Sequence, residues 1–352
     1  MTEPPESGWP YRQFPVEPVG DLEYHLTFHG VNEPVPGHRW RARYDATWPG
    51  YRRWYLGRDE QARPDLATAA GMLARYMPEL MPTYQRLVEL AGGDETTARM
   101  LTLWNPPRFA PGCSQLVLTR PRPVLCRNYD YAPELFEGVV YTSRLTGRRV
   151  LGTSDCLWGL LDGMNDAGLV VSLAFGGQPG SGPGFGIPLV VRYLLEVADT
   201  TPQAVELLRA LPVAMAYNLT LVDADAVVRT AYLAPGQLAE FSRTPAATNH
   251  RGEVPSFPEA ARALRSVERR AELLRLAGGP RDQDVLGAAF LSPPLYNTGF
   301  SRSFGTLYTA LYDPAGGYVD YRWPGKVWRR TFDDPDATTS VTLREGERQR
   351  VR

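Results

Sequence analysis

One cysteine of the chain stands in a setting that restricts both the fold and the chemistry, the dipeptide Gly112-Cys113. A strand-like run over residues 114–118 follows it, and Arg127 and Asp130 lie 14 and 17 residues beyond the cysteine. Glycine is the least hindered acyl group that a neighbouring thiol could attack. A cysteine that opens a strand in this setting predicts a nucleophile that becomes a new N-terminus through self-cleavage.

Two further motifs lie downstream, Asn-Asp-Ala-Gly-Leu at residues 165–169 and Thr-Asn-His at residues 248–250. An Asn side chain is a suitable hydrogen-bond donor to an oxyanion. In this order the motifs resemble the isopenicillin N acyltransferase-like (acyl-CoA:6-aminopenicillanic acid acyltransferase) family of N-terminal-nucleophile (Ntn) hydrolases. Choloylglycine (bile-salt) hydrolases, penicillin V acylases and acid ceramidase are more distant relatives. The resemblance covers residues 80–325, and residues 81–93 are similar to the segment that such precursors carry before the cysteine.

The order of elements predicts an α+β fold, because strand-like runs follow Cys113, helix-like runs come next, and strands return at residues 305–323. The resemblance implies a four-layer αββα sandwich of two antiparallel sheets. It also implies a propeptide-derived α chain, residues 1–112, and a catalytic β chain, residues 113–352.

Local patterns predict some further elements. Residues 1–60 look irregular, and a helical pattern at 66–90 should break at its prolines. Residues 258–277 look like one long helix, and the tail from Asp333 looks loose.

Each catalytic role is implied by the resemblance at the matching position. Cys113 attacks the carbonyl of Gly112, and its freed α-amine then serves as the general base. Arg127 favours the thiolate, and Asp130 orients the amine. Asn249 donates its side-chain N–H to the oxyanion. The mature protein is thus expected to hydrolyse a linear amide or to transfer an acyl group.

Other readings of these residues stay open. Arg127 and Asp130 also fit a structural ion pair, Asn249 also fits a turn, and His250 also fits the base of a Cys–His dyad. The whole chain also fits an uncleaved Cys–His hydrolase or an inactive Ntn-like binding protein. Asn165 fits a turn-forming residue before Gly168.

An apolar pocket is expected near the glycine-rich residues 176–186, which look like a mobile loop at its mouth. Arg302 fits either a contact to a substrate carboxylate or a solvated surface residue. Bile-salt hydrolase relatives have an Asn oxyanion donor where Phe175 falls, so bile-salt substrates are not expected. The side chains predicted to bind substrate are Phe175, Phe185, Tyr129, Tyr131, Tyr296 and Arg302.

Composition narrows the partners and the location. The net charge of −1 gives no electrostatic case for nucleic acid or an anionic membrane. There is no long apolar run and no secretory signal pattern, so a cytoplasmic protein is expected. His25, His29 and His38 lack supporting ligands, so neither a metal nor another cofactor is expected. The expected partners are a small acyl amide or thioester and the propeptide fragment, while homo-oligomer formation, the acyl group and the acceptor stay open.

Overall fold

A computed structural model describes residues 23–57, 63–108, 110, 112–279, 282–302 and 304–346. The helices of these residues are α1 (His38–Leu56), α2 (Leu66–Tyr76), α3 (Met81–Leu90), α4 (Glu95–Leu101), α5 (Ile187–Val197), α6 (Thr201–Ala210), α7 (Pro258–Ala263), α8 (Ser266–Ala277) and α9 (Gln283–Phe290). The strands are β1 (Glu23–Asn32), β2 (Gly112–Leu118), β3 (Val124–Tyr131), β4 (Val139–Ser143), β5 (Val150–Asp155), β6 (Gly159–Asn165), β7 (Val170–Phe175), β8 (Tyr217–Val222), β9 (Val228–Leu233), β10 (Glu240–Ser242), β11 (Ala246–Ala247), β12 (Thr298–Gly299), β13 (Phe304–Asp313), β14 (Tyr318–Trp323), β15 (Lys326–Thr331) and β16 (Ala337–Arg344). None of these helices is both long and apolar enough to cross a membrane.

The strands form two sheets. The larger has the order β10-β9-β8-β7-β6-β5-β4-β1-β16, and the smaller has the order β11-β2-β3-β13-β14-β15, with β12 beside β13. All neighbouring strands described run antiparallel except β1 and β4, which run parallel.

Side-chain alternation along β2 shows how the layers are stacked. Cys113 and Val117 belong to the core between the two sheets, which also contains side chains of β7 such as Val171. Leu116 and Leu118 belong to a second core that includes Leu273 of α8 and side chains of α9. Because alternate side chains point to opposite faces, β2 lies between the larger sheet and a helical layer. Helices α5 and α6 contact the larger sheet, so the predicted αββα sandwich is confirmed.

The predicted break of the helical pattern is confirmed at Pro78 but not at Pro82, which lies in the first turn of α3. The helical pattern after residue 65 breaks at Pro78, where α2 has ended and a short 3-10 turn leads into α3. Asp94 caps α4 by accepting a hydrogen bond of 2.8 Å from the backbone N–H of Thr97. The side chain of Thr200 caps α6.

Three predictions are wrong. Of the supposedly irregular residues 1–60, the described part forms β1 and α1, while residues 1–22 lie outside the description. The supposedly loose tail forms β16, which pairs along β1. The expected helix at 258–277 is two helices, because Arg265 adopts a left-handed φ of 49° between α7 and α8.

Buried polar contacts attach α1 to the sandwich. The Tyr51 hydroxyl hydrogen-bonds to Glu137, lies 3.2 Å from Asp155 Oδ1 and accepts a 2.9 Å bond from the backbone N–H of Cys156. The indole N–H of Trp40 donates to the Leu157 carbonyl at 3.0 Å. Burial, together with the negative charge of Glu137, raises the pKa of Asp155 to about 8. The helix is thus held by groups that do not depend on the chain connection to β2.

Candidate functional site

Cys113 is the second residue of β2 and is fully buried on the face that meets the larger sheet. It lies opposite Tyr129 of β3, and Gln115 lies opposite Arg127. Residues two apart on one strand share a face. The hairpin register therefore brings Arg127 to the side of the strand that carries the sulfur.

Arg127 is held beside that sulfur by a network of buried bonds. Its Nη2 lies 3.1 Å from Cys113 Sγ, while Nη1 donates to Asp162 Oδ2 at 2.6 Å and to the Leu161 carbonyl at 2.8 Å. Asp162 also accepts bonds from the hydroxyls of Thr153, Tyr308 and Tyr312. The guanidinium is therefore a fixed positive charge.

Burial raises the pKa of the Cys113 thiol to about 11, although the positive charge of Arg127 opposes this effect. The carboxylate of Asp130 adds to the increase, and Arg269 opposes it. In the uncut chain the thiol is accordingly protonated at neutral pH. A proton acceptor or a rise in pH is needed to generate the thiolate.

Asp130 lies on the other face of β3, opposite Gly112. Its carboxylate accepts 2.7 Å bonds from the Thr306 hydroxyl and from Asn297 Nδ2, and it lies 3.9 Å from Arg269 Nη1. Burial raises its pKa to about 6, against the lowering effect of Arg269 and of the two hydrogen bonds. Asp130 is thus held rigidly beside the backbone of Gly112, the residue before Cys113.

Asn249 follows β11 and contacts the backbone of Cys113. Its Oδ1 accepts a bond of 3.2 Å from the Cys113 N–H, and its Nδ2 donates to the Phe175 carbonyl at 2.9 Å. Sequence reasoning expected the side-chain N–H to face the reacting carbonyl, whereas here the amide oxygen faces Cys113. Asn249 is at the site in either case, and its predicted role as an oxyanion donor stays a prediction.

Arg269 of α8 belongs to the same cluster and was missed by the sequence analysis. Its Nη1 donates to the Cys113 carbonyl and, at 2.8 Å, to Ser114 Oγ, while Nη2 donates to Asn249 Oδ1 at 2.6 Å. The sequence does not distinguish Arg269 from the other arginines of residues 258–277, which look like one long helix. The break at Arg265 is what lets α8 aim this buried arginine inward, and no spacing in the sequence marks it.

Phe304 packs directly on the residue before the cysteine. A methyl group added at Gly112 would lie 2.4 Å from Cε2 of the Phe304 ring and 3.2 Å from the Asp130 Cβ. Any larger residue at position 112 would displace this ring or the strand. Packing against Phe304 therefore favours glycine at this position.

The side chains predicted to bind substrate lie in different surroundings. Tyr129 is buried and stacked on Tyr308 at 5.5 Å, and the half-buried Tyr296 lies near Asp130. Phe175 makes an edge contact with Tyr217. The structure also places Tyr131 beside Tyr129, Phe185 in the core and Arg302 exposed in a 3-10 turn.

The glycine-rich residues 176–186 are anchored at their C-terminal end. Gly182 and Phe185 donate backbone bonds to Ala214 and Pro212, and Gly184 accepts one from Asn105. Phe185 itself makes edge contacts with the rings of Trp104 and Tyr76. The end of this segment is thus packed against the residues that precede Cys113, whereas mobility of the whole segment stays a prediction.

The remaining predicted side chains are held by contacts of their own. His250 Nδ1 lies 2.6 Å from Ser266 Oγ, so the ring is engaged away from Cys113 and the Cys–His dyad is not assembled. Asn165 forms the predicted turn, accepting from Leu169 N at 3.0 Å. His25 bonds to the Thr342 hydroxyl, and the described residues contain no group of three or more potential metal ligands.

Comparisons with known proteins give a family match and similar solved structures. The sequence model described as acyl-coenzyme A:6-aminopenicillanic acid acyl-transferase matches residues 117–328. No curated protein sequence matches the chain.

Among solved structures, penicillin V acylase from Agrobacterium tumefaciens is similar at 16% identity and a TM-score of 0.42, over 62% of this chain and 84% of that one. The Caenorhabditis elegans N-acylethanolamine-hydrolyzing acid amidase ortholog is similar at 14% identity and a TM-score of 0.43, over 58% of this chain and 92% of that one. A mutant conjugated bile acid hydrolase from Clostridium perfringens is similar at 11% identity and a TM-score of 0.42, over 65% and 96%.

Proposed function

Because the chain belongs to the acyl-coenzyme A:6-aminopenicillanic acid acyl-transferase family, and is therefore an Ntn-type amidase or acyltransferase, we propose that Cys113 is its nucleophile. The protein is made as a zymogen that cuts itself between Gly112 and Cys113. The observation that supports this best is the cluster around one residue: Arg127 on its sulfur, Asn249 on its nitrogen and Arg269 on its carbonyl oxygen.

Cleavage proceeds in two steps that consume one water. The sulfur of Cys113 attacks the Gly112 carbonyl carbon, the peptide C–N bond breaks, and the nitrogen takes up the thiol proton to become an α-amine. Water then hydrolyses the thioester, leaving a carboxylate on Gly112 and a free thiol. The rigid position of Arg127 favours the thiolate in the first step.

The α-amine that cleavage releases is the general base of the mature enzyme. An α-amine has an ordinary pKa of about 7.7–8.0, which is close to working pH. Asn249 Oδ1 already accepts the hydrogen on this nitrogen, and Asp130 lies across from the bond that breaks. These two groups hold the amine so that its lone pair can face the sulfur.

The substrate we propose is a small amide or thioester with an apolar acyl part. A small apolar cavity of about 10 Å³ lies where the segment before Gly112 meets the sandwich. Its walls include Trp54, Leu103 and Pro106 from that segment, and Ile187 and Tyr217 from the sandwich. Walls of this kind suit a hydrocarbon chain only if the cavity widens when the substrate enters, and they require that residues 1–112 stay associated with residues 113–352 after the cut.

The mass of the purified protein tests the cleavage. Two associated chains of about 112 and 240 residues are expected, the larger beginning Cys-Ser-Gln, whereas Cys113→Ala should remain one chain. A wild-type protein that stays intact during long incubation at neutral pH contradicts self-processing. It would favour the rival readings, an uncleaved hydrolase or an inactive binding protein, and labelling of the Cys113 thiol would separate these two.

The reaction is tested with N-acyl amides of graded acyl chain length, with Cys113→Ala as the control. Release of amine is expected from the wild type alone, with a preference for one range of chain lengths set by the cavity. Turnover of proteins without turnover of any small amide contradicts the proposed substrate.

A further inference from the structure

The side chain of Gln115 is buried close to the reacting cysteine. It is fully buried, and neither its amide nitrogen nor its amide oxygen has a hydrogen-bond partner among the described residues. Because Gln115 comes two residues after Cys113 on β2, both side chains lie on the inner face of that strand, about 7 Å apart along it. A buried amide without partners costs free energy, so a group that bonds to it is expected here.

The larger sheet turns two further unsatisfied hydroxyls toward the same space. Ser172 of β7 pairs with Asp162 on one side and with Thr220 of β8 on the other, and paired residues of neighbouring strands share a face. Asp162 reaches Arg127 across the space between the sheets, so Ser172 and Thr220 also point toward the smaller sheet. Both are fully buried, and neither hydroxyl has a partner within the part of the chain that is described.

Arg127 connects these groups to the sulfur. It lies opposite Gln115 in the hairpin, and its Nη2 is 3.1 Å from Cys113 Sγ, while its buried Nε has no acceptor among the residues described. Because β2 contacts β7 and β8, Gln115 lies over the strands that carry the two hydroxyls. Five unsatisfied polar atoms on four strands therefore face one region next to the nucleophile, and we call their side chains, Gln115, Arg127, Ser172 and Thr220, the inter-sheet cluster.

The donors and acceptors of the inter-sheet cluster indicate which ligand it binds. Nε of Arg127 and Nε2 of Gln115 only donate, Oε1 of Gln115 only accepts, and the two hydroxyls do both. An ion would satisfy one kind of group and oppose the other, and the charge of Arg127 is already balanced by Asp162 at 2.6 Å. Water both donates and accepts, and a buried water typically makes about three hydrogen bonds to groups of this kind.

The proposed cleavage consumes one water at a buried place. Cys113 and Asn249 are fully buried, and Gly112 is buried as well. After the first step the acyl group of Gly112 is bonded to Sγ, and it therefore lies on the inner face, on the same side of β2 as Gln115. A water bound by the inter-sheet cluster would be within reach of this acyl group without any opening of the protein.

We propose that the inter-sheet cluster binds the water that hydrolyses the Gly112 thioester. The inference rests on the proposed function. The water oxygen bonds to the carbonyl carbon of Gly112 and the C–S bond breaks. One hydrogen of the water passes to the sulfur through the α-amine of Cys113, and the other leaves from the new carboxyl group. Gln115 is a positioning residue in this step, because it acts through the water.

Hydroxylamine separates the two steps of cleavage, because it attacks a thioester directly and leaves a hydroxamate on Gly112. Wild type should cut itself, and in hydroxylamine part of its product should carry the hydroxamate. Gln115→Leu should still form the thioester but should cut itself about tenfold more slowly, since it holds the water less well. Hydroxylamine should restore the cutting of this variant to the wild-type rate. Mass spectrometry of the fragment that ends at Gly112 measures both rate and product.

The water itself is observable in crystals of Cys113→Ala, in which the chain stays uncut. Ordered water should lie within about 3 Å of Gln115 Nε2 and of the Ser172 hydroxyl. A Gln115 side chain that bonds directly to Ser172 or Thr220, with no water between them, overturns the inference.

The matched control is Thr230→Val, because Thr230 lies opposite Thr220 on β9 and its hydroxyl already donates to the Thr244 carbonyl at 2.9 Å. This variant should cut itself at the wild-type rate. Unchanged self-cleavage in Gln115→Leu, a loss that hydroxylamine does not relieve, or an equal loss in Thr230→Val overturns the inference. If Gln115→Leu does not fold, Thr220→Val takes its place with the same outcomes. A wild type that stays uncut even in hydroxylamine overturns the proposed function as well.

Discussion

The β2–β3 hairpin has an inner face, turned to the larger sheet, and an outer face, turned to α8 and α9. The inner face carries the sulfur of Cys113 with Arg127, whose charge is balanced by Asp162 at 2.6 Å. The outer face carries Asp130, which is held by the neutral donors Thr306 and Asn297 and has a cation only at 3.9 Å.

The difference shows how one residue is controlled from two sides of a strand. The inner face places a tightly paired cation, Arg127, beside the sulfur. The outer face places the carboxylate of Asp130 beside the peptide bond between Gly112 and Cys113. Among the residues described, no cation lies as close to this carboxylate as Asp162 lies to Arg127. The two faces should therefore respond differently to substitution.

Arg127→Met should have the largest effect, because it removes the sulfur's cation and leaves Asp162 buried without its ion pair. We expect a loss of about 3–5 kcal/mol in the free energy of unfolding, together with loss of cleavage. Urea denaturation on a Cys113→Ala background measures the first. Adding Asp162→Asn should restore part of the stability but no cleavage. A loss below about 1 kcal/mol would contradict the inner-face account.

Asp130→Asn should come next, because it removes a charge while keeping a side chain of the same shape. Maturation and amide turnover should both fall, by about a hundredfold, and the fold should be retained. Mass spectrometry over time measures maturation, and amine release by the matured fraction measures turnover. Near-normal turnover beside a dead His250→Ala would shift the interpretation to a Cys–His dyad.

Gly112→Ala should slow cleavage by about tenfold or more, because the added methyl overlaps the Phe304 ring and overpacking typically costs about 1–3 kcal/mol. Gly112→Ala combined with Phe304→Ala should recover much of the rate, since the second change removes the obstacle. The fraction cut with time measures both. An absence of recovery would place the requirement for glycine in the chemistry and not in the packing.

The smallest effect expected is a pH dependence of stability caused by Asp130. Its pKa rises from 3.8 in the unfolded chain to about 6 in the folded protein. Its contribution is therefore complete below pH 4 and is lost as the pH rises to about 6. The free energy of unfolding is measured against pH for Cys113→Ala and for Cys113→Ala/Asp130→Asn. Over pH 4–6 it should change less in the double variant. Parallel curves would contradict the outer-face account.

The hairpin could be predicted from the sequence because its evidence is local. The spacing of Cys113, Arg127 and Asp130 within two adjacent strands fixed which of them share a face once the register was known. The Thr-Asn-His motif predicted that Asn249 lies at the site, but it did not predict which end of the side-chain amide faces Cys113. Arg269 could not be predicted, because its role depends on the left-handed residue Arg265, an arginine at a position where glycine is the usual signal.

The two ends of the chain were misread for a different reason. β1 and β16 pair with each other although they lie about 300 residues apart in the sequence. β16 is the edge strand of the larger sheet and β1 lies beside it, and β1 buries one face only, as at Leu26 and Phe28. In α1, Pro49 and many aromatic residues weaken the helical signal. Only the contacts with the rest of the protein select these elements.

The attachment of α1 to the sandwich affects how the protein can refold before and after the proposed cut. The bonds from Trp40 and Tyr51 to the sandwich do not pass through the Gly112-Cys113 link, so the proposed cut leaves them in place while it converts one polypeptide into two. Before the cut, folding is unimolecular and independent of dilution. Afterwards, an unfolded enzyme recovers only when two separate chains meet, so its refolding is second order in protein concentration.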